Sequence, residues 1–203
     1  SIYPSIEGIP ALKLEISRFA KQFLNIDISP DGCVPTVGSM QGGFASFITT
    51  CQCDEKKNKL LFIDPGFPVQ KQQMKILGLD YENCVALAFE STLDYESFDV
   101  YNYRGQKLRD KLEQYCQNGS ISSILYSNPN NPSWICLTEE ELQIIAEVAQ
   151  KYDIIVIEDL AYFGMDFRKD FSIPGKEPYQ PSIAHYYDNY ILLLSASKIF
   201  SYA

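Results

Sequence analysis

The feature that most constrains the fold of this chain is an alternation of short apolar runs with longer amphipathic segments. The apolar runs, which we interpret as β-strands, cover residues 60–64, 84–89, 121–127, 154–159 and 190–195. The segments with apolar residues at helical spacing cover residues 8–25, 42–51, 67–77, 105–117 and 138–152. Strands that alternate with helices indicate a parallel sheet with helices on both faces. We therefore predict an α/β fold with three layers, α/β/α, and a mostly parallel central sheet.

Local signals support several of these boundaries. The run "LLFID" stops at Pro65-Gly66, and the strand at 121–127 runs into "NPNNP", which is a strong structure breaker. Thr138 followed by Glu141 forms the sequence pattern of a helix capping box. Residues 168–189 are rich in proline, glycine and tyrosine and form one long irregular connection, a kind of segment that is often functional.

Composition narrows the class of protein. Of the 203 residues 46% are apolar, which is enough for a sizeable core, and the net charge of −9 argues against a nucleic-acid partner. The sequence contains no run of eighteen apolar residues, so we expect no membrane span, and we recognise no signal peptide at its start. The six cysteines include a lone C-x-C at Cys51 and Cys53 without a second pair, so we expect reduced, mostly packed thiols, no metal site and a cytoplasmic protein.

Polar residues follow the predicted strands, at the edge of the sheet where ligands of open α/β folds bind. They stand in the motifs "DPGFP" (64–68), "NPNNPSW" (128–134), "EDLAY" (158–162) and "SASK" (195–198), and "VGSMQGG" (37–43) lies upstream. Each motif alone has an ordinary structural explanation: Asn-Pro is a common turn, an aspartate after a strand is often a cap, and a glycine-rich turn is a weak phosphate signal. Their combination, in this order, favours one chemistry.

That succession of motifs resembles the fold-type-I aminotransferases that use pyridoxal 5′-phosphate (PLP), the class I/II, aspartate aminotransferase-like superfamily. The resemblance covers essentially the whole chain. One departure is visible, because the family usually has Thr-Gly after the second Asn-Pro and this chain has Ser133-Trp134. The retained Asn131 leaves the cofactor contact in place, whereas the loop shape and the substrate pocket are open to change.

The resemblance implies a role for each matching side chain. Lys198 is the residue that would form the internal aldimine with PLP and then shuttle a proton. Asp159 would keep the pyridine nitrogen protonated, Asn131 and Tyr162 would donate to the phenolate oxygen O3′, and Phe67 would stack on the ring. The predicted catalytic residues are Lys198, Asp159 and Tyr162.

The phosphate group of PLP has its own predicted partners. By resemblance these are the start of the helix at Ser39, Met40 and Gln41, together with the hydroxyl of Ser195. The segment "YPSIEG" resembles the family segment whose tyrosine, here Tyr3, reaches the phosphate of the neighbouring subunit. The resemblance therefore implies a homodimer.

Family members also continue after the lysine with a phosphate-binding arginine, further strands and a small domain. We therefore expect residues 1–203 to be the N-terminal half of the large PLP-binding domain, truncated after the lysine strand, with the small C-terminal domain absent from this chain. The expected reaction transfers an amino group between an amino acid and a 2-oxo acid. A carbon–sulfur β-lyase, a decarboxylase and a non-catalytic PLP-binding regulatory domain remain alternatives, because the same side chains serve all of them. A Rossmann dinucleotide site is excluded by the lack of G-x-G-x-x-G.

Overall fold

The computed structural model describes residues 3, 5–85 and 106–202 and contains a five-stranded sheet. Its strands are β1 (Lys59–Asp64), β2 (Asp80–Val85), β3 (Ile121–Ser127), β4 (Ile155–Leu160) and β5 (Tyr190–Leu194). They lie in the order β2-β1-β3-β4-β5, and all four pairings are parallel. The predicted α/β class and parallel sheet are confirmed.

The described residues form six α-helices, which lie between and around these strands. They are α1 (Pro10–Leu24), α2 (Gly38–Gln52), α3 (Pro68–Leu77), α4 (Gln106–Cys116), α5 (Glu139–Tyr152) and the short α6 (Ala196–Ile199). Within the described ranges, none of the helices has the length and apolar character that crossing a membrane requires.

Alternation along the strands divides the core into two layers, because successive side chains of a strand point to opposite faces. Leu61 and Ile63 of β1 face a cluster that contains the buried residues of α4 and α5. Leu60 and Phe62 face the other cluster, with Phe47 of α2 and residues of α3. The sheet is therefore covered by α4 and α5 on one face and by α2 and α3 on the other, which confirms the three-layer prediction.

Helix ends follow the chemistry of their residues. The Thr138 hydroxyl accepts a hydrogen bond from the Glu141 N–H at 3.2 Å, and the Glu141 carboxylate accepts one from the Thr138 N–H at 2.8 Å. This confirms the predicted capping box of α5. Gly78 ends α3 at φ +68°, a left-handed conformation that glycine adopts without steric cost.

Two predicted boundaries and one predicted burial differ from the structure. α2 begins at Gly38, four residues before the predicted start, so its first turn contains the residues predicted to bind phosphate. β2 begins at Asp80, four residues before the predicted start, because polar residues are tolerated at the edge of the described sheet. Residues 86–89 of the predicted strand lie outside the described residues. β5 was expected to be a buried strand, but as the other edge strand it has only Leu193 buried.

All six cysteines are free thiols, and four of them are buried. Burial raises the pKa of Cys84 to about 11 and that of Cys116 to about 12. These two thiols therefore stay protonated at neutral pH, and the burial of four of the six cysteines agrees with the predicted packing role. Across 5–85 and 106–202, no group of histidine, cysteine and carboxylate side chains is arranged to hold a metal ion.

Candidate active site

The motifs singled out in the sequence meet at one edge of the sheet. Because the strands are parallel, the carboxyl ends of β1, β3, β4 and β5 all lie at that edge, and each leads into one of the four motifs. Ser127 at the end of β3 pairs with Asp159, and Asp159 pairs with Leu193 of β5. The residues that follow these strands are thus brought together although the sequence separates them widely.

Asp159 is a buried carboxylate with a defined orientation. Only 6% of the residue is exposed. Its Oδ2 accepts a hydrogen bond from Nε2 of Gln70 at 2.7 Å, and its Oδ1 accepts one from the Ala161 N–H at 3.0 Å. Burial raises the pKa of Asp159, whereas the hydrogen bonds from Ala161 and Gln70 act in the opposite direction. Each carboxylate oxygen has capacity for a further donor, so this group can receive a cationic N–H.

Gln70 reaches Asp159 from α3, whose first residue follows Phe67. The Gln70 N–H donates to the Phe67 carbonyl at 3.2 Å, and the Gln70 side chain is almost fully buried. Phe67 is half-buried at the helix start. Sequence reasoning predicted Phe67 and missed Gln70; the only available signal was its position one helical turn after the aromatic residue, on the same face of α3.

Asn131 and Tyr162, both of which the resemblance implies as donors to one oxygen atom, lie next to each other in the structure. Asn131 Nδ2 lies 3.5 Å from the Tyr162 hydroxyl, and both residues are partly buried. The Asn131 N–H donates to Ser127 Oγ at 3.1 Å, which ties the loop to the end of β3. Two polar groups that can donate hydrogen bonds are therefore presented side by side, next to the end of β4.

The loop that carries Asn131 is built around Asn130, which is completely buried. Its Nδ2 donates to the Pro65 carbonyl at 2.8 Å, so it joins the loop after β3 to the loop after β1. Its Oδ1 accepts from the N–H and the hydroxyl of Ser133 at 3.1 Å and 2.6 Å. Ser133 therefore makes the same kind of turn-closing contact that the expected threonine hydroxyl can provide.

Trp134 stands where the resemblance leads us to expect glycine. Its backbone has φ +61°, a left-handed conformation suited to glycine, so this residue has the glycine-like backbone shape. The indole packs edge-to-face on Tyr162 with 5.8 Å between ring centroids, and 46% of Trp134 is exposed. The departure from the family pattern therefore adds an aromatic surface beside Tyr162.

The predicted phosphate-binding residues Ser39, Met40 and Gln41 form the first turn of α2. Gln41 Oε1 accepts from the Val37 N–H at 2.6 Å, which closes the turn before the helix. A Cβ atom at Gly42 would lie 3.2 Å from Leu193, so the start of α2 packs closely on β5. The N–H groups of this turn, with the positive end of the helix dipole, suit an anion.

Ser195 and Lys198 follow β5. The Ser195 hydroxyl accepts from the Ser197 N–H at 3.4 Å and caps α6. The Lys198 side chain is exposed and forms no hydrogen bond or ion pair with any residue in the described ranges. By contrast, Lys71 is paired with Asp64, with 2.5 Å between Nζ and Oδ2. Lys198 is thus an amine available for reaction beside the site.

Tyr3 is 91% exposed and contacts none of the site residues within its own chain through a hydrogen bond or ring contact among the described residues. The structure therefore does not bring Tyr3 to its own chain's site.

The donor set fits PLP group by group. Asp159 provides a buried carboxylate for a protonated ring nitrogen, Asn131 and Tyr162 provide donors for an oxyanion, and the first turn of α2 provides N–H groups for a phosphate. Lys198 provides a primary amine for an aldehyde. A metal ion would instead need a cluster of ligands, which the described residues lack.

Comparison with known proteins agrees with this geometry. The family model described as "Aminotransferase class I and II" matches residues 1–203. A curated relative, the probable aspartate aminotransferase of Methanocaldococcus jannaschii, is 23% identical over 98% of this chain and 46% of its own length.

Solved structures show the same fold. An aminotransferase from Mycobacterium tuberculosis superposes with a TM-score of 0.74 at 21% identity, over 98% of this chain and 45% of that one. A PLP-bound carbon–sulfur lyase from Staphylococcus hominis gives a TM-score of 0.68 at 20% identity, with coverages of 98% and 45%. The chain thus spans less than half the length of these proteins.

Proposed function

This chain belongs to the class I and II aminotransferases, and on that premise we propose that the protein transfers an amino group between an amino acid and a 2-oxo acid with PLP as cofactor. The observation that carries the proposal is the buried Asp159 carboxylate, oriented by Gln70 and Ala161 beside the Asn131–Tyr162 pair. The curated relative from M. jannaschii carries an aminotransferase name, which favours this reaction over the lyase and decarboxylase alternatives.

When bound, PLP supplies an electron sink that makes the α-proton of an amino acid acidic. Asp159 keeps a proton on the pyridine nitrogen, because a carboxylate in a buried site favours the cationic form of its partner. Gln70 and Ala161 hold the carboxylate in the orientation that this contact requires. Phe67 would stack on the ring, and such stacking contributes on the order of 1 kcal/mol beyond area burial.

Asn131 and Tyr162 hold the phenolate oxygen O3′ by donating hydrogen bonds from their side chains. The first turn of α2, with Ser39, Met40 and Gln41, binds the phosphate dianion through backbone N–H groups. The Ser195 hydroxyl adds a further donor. These residues would together hold the cofactor at the carboxyl edge of the sheet.

Lys198 would hold the cofactor through its Nζ, and once a substrate amine has taken its place, the freed Lys198 amine would move the proton at the substrate α-carbon as a general base. Its exposure leaves it accessible to the cofactor aldehyde. The other lysine at this edge, Lys71, is engaged with Asp64 and is the matched comparison for any labelling experiment.

Borohydride reduction of the full-length protein with PLP, followed by peptide mapping, tests the covalent assignment. The pyridoxyl group should be found on Lys198 and should be absent after Lys198→Ala. A pyridoxyl group on Lys71 or on another lysine would refute the assignment.

The reaction type is tested by adding amino acids one at a time to the full-length protein with PLP and following the cofactor absorbance. A transaminase shows a change with some amino acid that a 2-oxo acid reverses. Release of ammonia without need for a 2-oxo acid would indicate a lyase, carbon dioxide release a decarboxylase, and no turnover a regulatory domain. Asp159→Ala should keep the covalent attachment to Lys198 and reduce turnover by orders of magnitude.

We further propose that residues 1–203 correspond to the N-terminal half of the large PLP-binding domain, and that the full-length protein is a cytoplasmic homodimer. The free thiols are consistent with a reducing compartment. The exposed Tyr3 would approach the phosphate site of the neighbouring subunit. Sedimentation of the full-length protein tests the assembly: an active monomer would contradict it, and Tyr3→Phe should weaken PLP binding.

A further inference from the structure

Glu158, the residue before Asp159, is a carboxylate that the proposed reaction does not use. It is completely buried. Since neighbouring residues of a strand point to opposite faces, Glu158 lies on the side of the sheet away from Gln70 and Asp159. A buried carboxylate is costly unless its oxygens receive hydrogen bonds.

Four donors surround the two oxygens of Glu158. Oε1 accepts from the Tyr126 hydroxyl and from Asn128 Nδ2, each at 3.3 Å. Oε2 accepts from the Ser182 hydroxyl at 2.5 Å and from the Ile183 N–H at 3.1 Å. Two donors come from the end of β3 and the loop that follows it, and two come from the irregular segment before β5, so the Glu158 side chain joins these two segments to β4.

Each Glu158 oxygen accepts one hydrogen bond from a hydroxyl and one from an N–H group. The Asn128 amide and the Ile183 N–H can only donate, whereas the Tyr126 and Ser182 hydroxyls can donate or accept. A carboxylate satisfies all four, and a carboxylic acid also does so if its proton points to a hydroxyl. Glutamine cannot, because its NH₂ group would face either the Asn128 amide or the Ile183 N–H. The site therefore requires glutamate, in either protonation state.

Asn128 connects this carboxylate to the candidate active site. Its Oδ1 accepts from the Leu137 N–H at 3.1 Å, and its own N–H donates to the Asp159 carbonyl at 3.0 Å. The Asn128 side chain thus closes the loop 128–137, which carries Asn131 and Trp134.

We propose that Glu158 is a positioning residue, which acts through Asn128 to hold the loop 128–137 and so keeps Asn131 against Tyr162. The effect of Glu158 on the position of the loop does not depend on which reaction the protein catalyses. The effect of Glu158 on catalysis rests on the proposed function. A stronger bond from the Asn128 amide forms when Glu158 is ionised, since hydrogen bonds to charged acceptors are stronger than those to neutral ones.

The loop should therefore respond to pH in the range where Glu158 titrates. Burial raises the pKa of Glu158 to about 7, and the bonds from Ser182, Asn128, Ile183 and Tyr126 limit the rise. The Tyr126 phenol stays protonated there, because burial and the Glu158 charge raise its pKa well above its usual value.

Among the described residues, two titratable groups besides Tyr126 adjoin this network. His185 Nδ1 accepts from the Ser182 N–H at 3.3 Å, and Asp159 lies on the opposite face of β4. Both are present in Glu158→Gln, so a pH response that belongs to either of them persists in that variant.

The test uses hydrogen exchange of the Leu137 amide in the full-length protein without PLP. Glu158→Gln should speed this exchange about tenfold, as expected for one lost buried hydrogen bond. Tyr126→Phe removes only a hydroxyl from the same oxygen and should leave it nearly unchanged. The Val148 amide in the core of α5 is the internal control for global unfolding.

Fluorescence of Trp134 on the same loop gives the pH profile, with Trp134→Phe as the blank for any other tryptophan of the full-length protein. The wild type should show a step near pH 7 that Glu158→Gln lacks. A step that persists in Glu158→Gln, an unchanged Leu137 exchange rate, or equal acceleration at Val148 would overturn the proposal. If Glu158→Gln does not fold, the test rests on the pH profile of Trp134 fluorescence in the wild type. A wild type without a step near pH 7 refutes the positioning role of Glu158. If the loop responds as expected but the protein has no transaminase activity, the proposed function is refuted and the positioning role of Glu158 is not.

Discussion

Replacing Trp134 with glycine and with alanine should reverse the usual order of stability of these two residues. Trp134 has φ +61°, in the left-handed region, where a residue with a Cβ atom is strained by roughly 1–2 kcal/mol. Glycine avoids that strain. At ordinary φ, glycine is instead less stable than alanine by roughly 0.5–1 kcal/mol because it loses more backbone entropy. The two terms oppose each other, and the midpoints of the two ranges leave W134G more stable than W134A by roughly 0.75 kcal/mol.

Both variants should be less stable than the wild type. With 46% of Trp134 exposed, about half of a buried indole area of roughly 200 Å² is lost, which corresponds to about 2.5 kcal/mol at roughly 25 cal/mol per Å². The edge-to-face contact with Tyr162 adds on the order of 1 kcal/mol to the loss. Glycine recovers part of this loss through the relief of strain, and alanine does not.

The assay is equilibrium urea unfolding of the full-length protein with both pairs of variants. Ser133 is the matched control, because it is adjacent to Trp134 in the same loop and its own φ is not positive. S133A should be more stable than S133G, the opposite order to that at position 134. If W134A is at least as stable as W134G while the Ser133 pair shows the ordinary order, the backbone strain argued here is absent.

Three further outcomes are expected. Thr138→Ala removes the cap of α5 and should lower stability by about 1 kcal/mol, measured as a lower melting temperature; an unchanged melting temperature would show that the cap is not needed. Gln70→Leu removes a bond that lowers the pKa of Asp159, so that pKa should rise further; carbon NMR of the carboxyl group during a pH titration checks the direction, and a fall would contradict it. Iodoacetamide should modify the exposed Cys53 quickly and the buried Cys116 only after unfolding, since burial raises the Cys116 pKa to about 12; mass spectrometry of timed samples checks the order, and equal rates would disprove it.

Much of the fold could be predicted because its signals are local. The five apolar runs and the helical periodicity between them depend only on neighbouring residues, and they indicated the alternation that a parallel sheet requires. The capping box at Thr138 was equally visible, since both its hydrogen bonds lie within four consecutive residues. The polar start of β2 was missed, because an edge strand does not need an apolar sequence.

The same distinction applies to the candidate site. Asp159, Asn131, Tyr162 and Lys198 were predicted from motifs, and the structure brings Asn131 next to Tyr162. Gln70 was missed, because its contact with Asp159 joins residues 89 positions apart, and no local pattern records such a pairing.

The sequence by itself determined which chemical groups stand at the ends of the strands, because strand ends and their polar residues are written in local order. Only the tertiary structure decided how those groups are oriented and what supports them. Glu158 illustrates this: next to Asp159 in sequence, it points to the other face of the sheet, where donors from two distant segments surround it. The physical reason is that a buried polar group must be satisfied by whatever the folded chain places around it, and those partners are chosen by packing across the sheet and not by proximity along the chain.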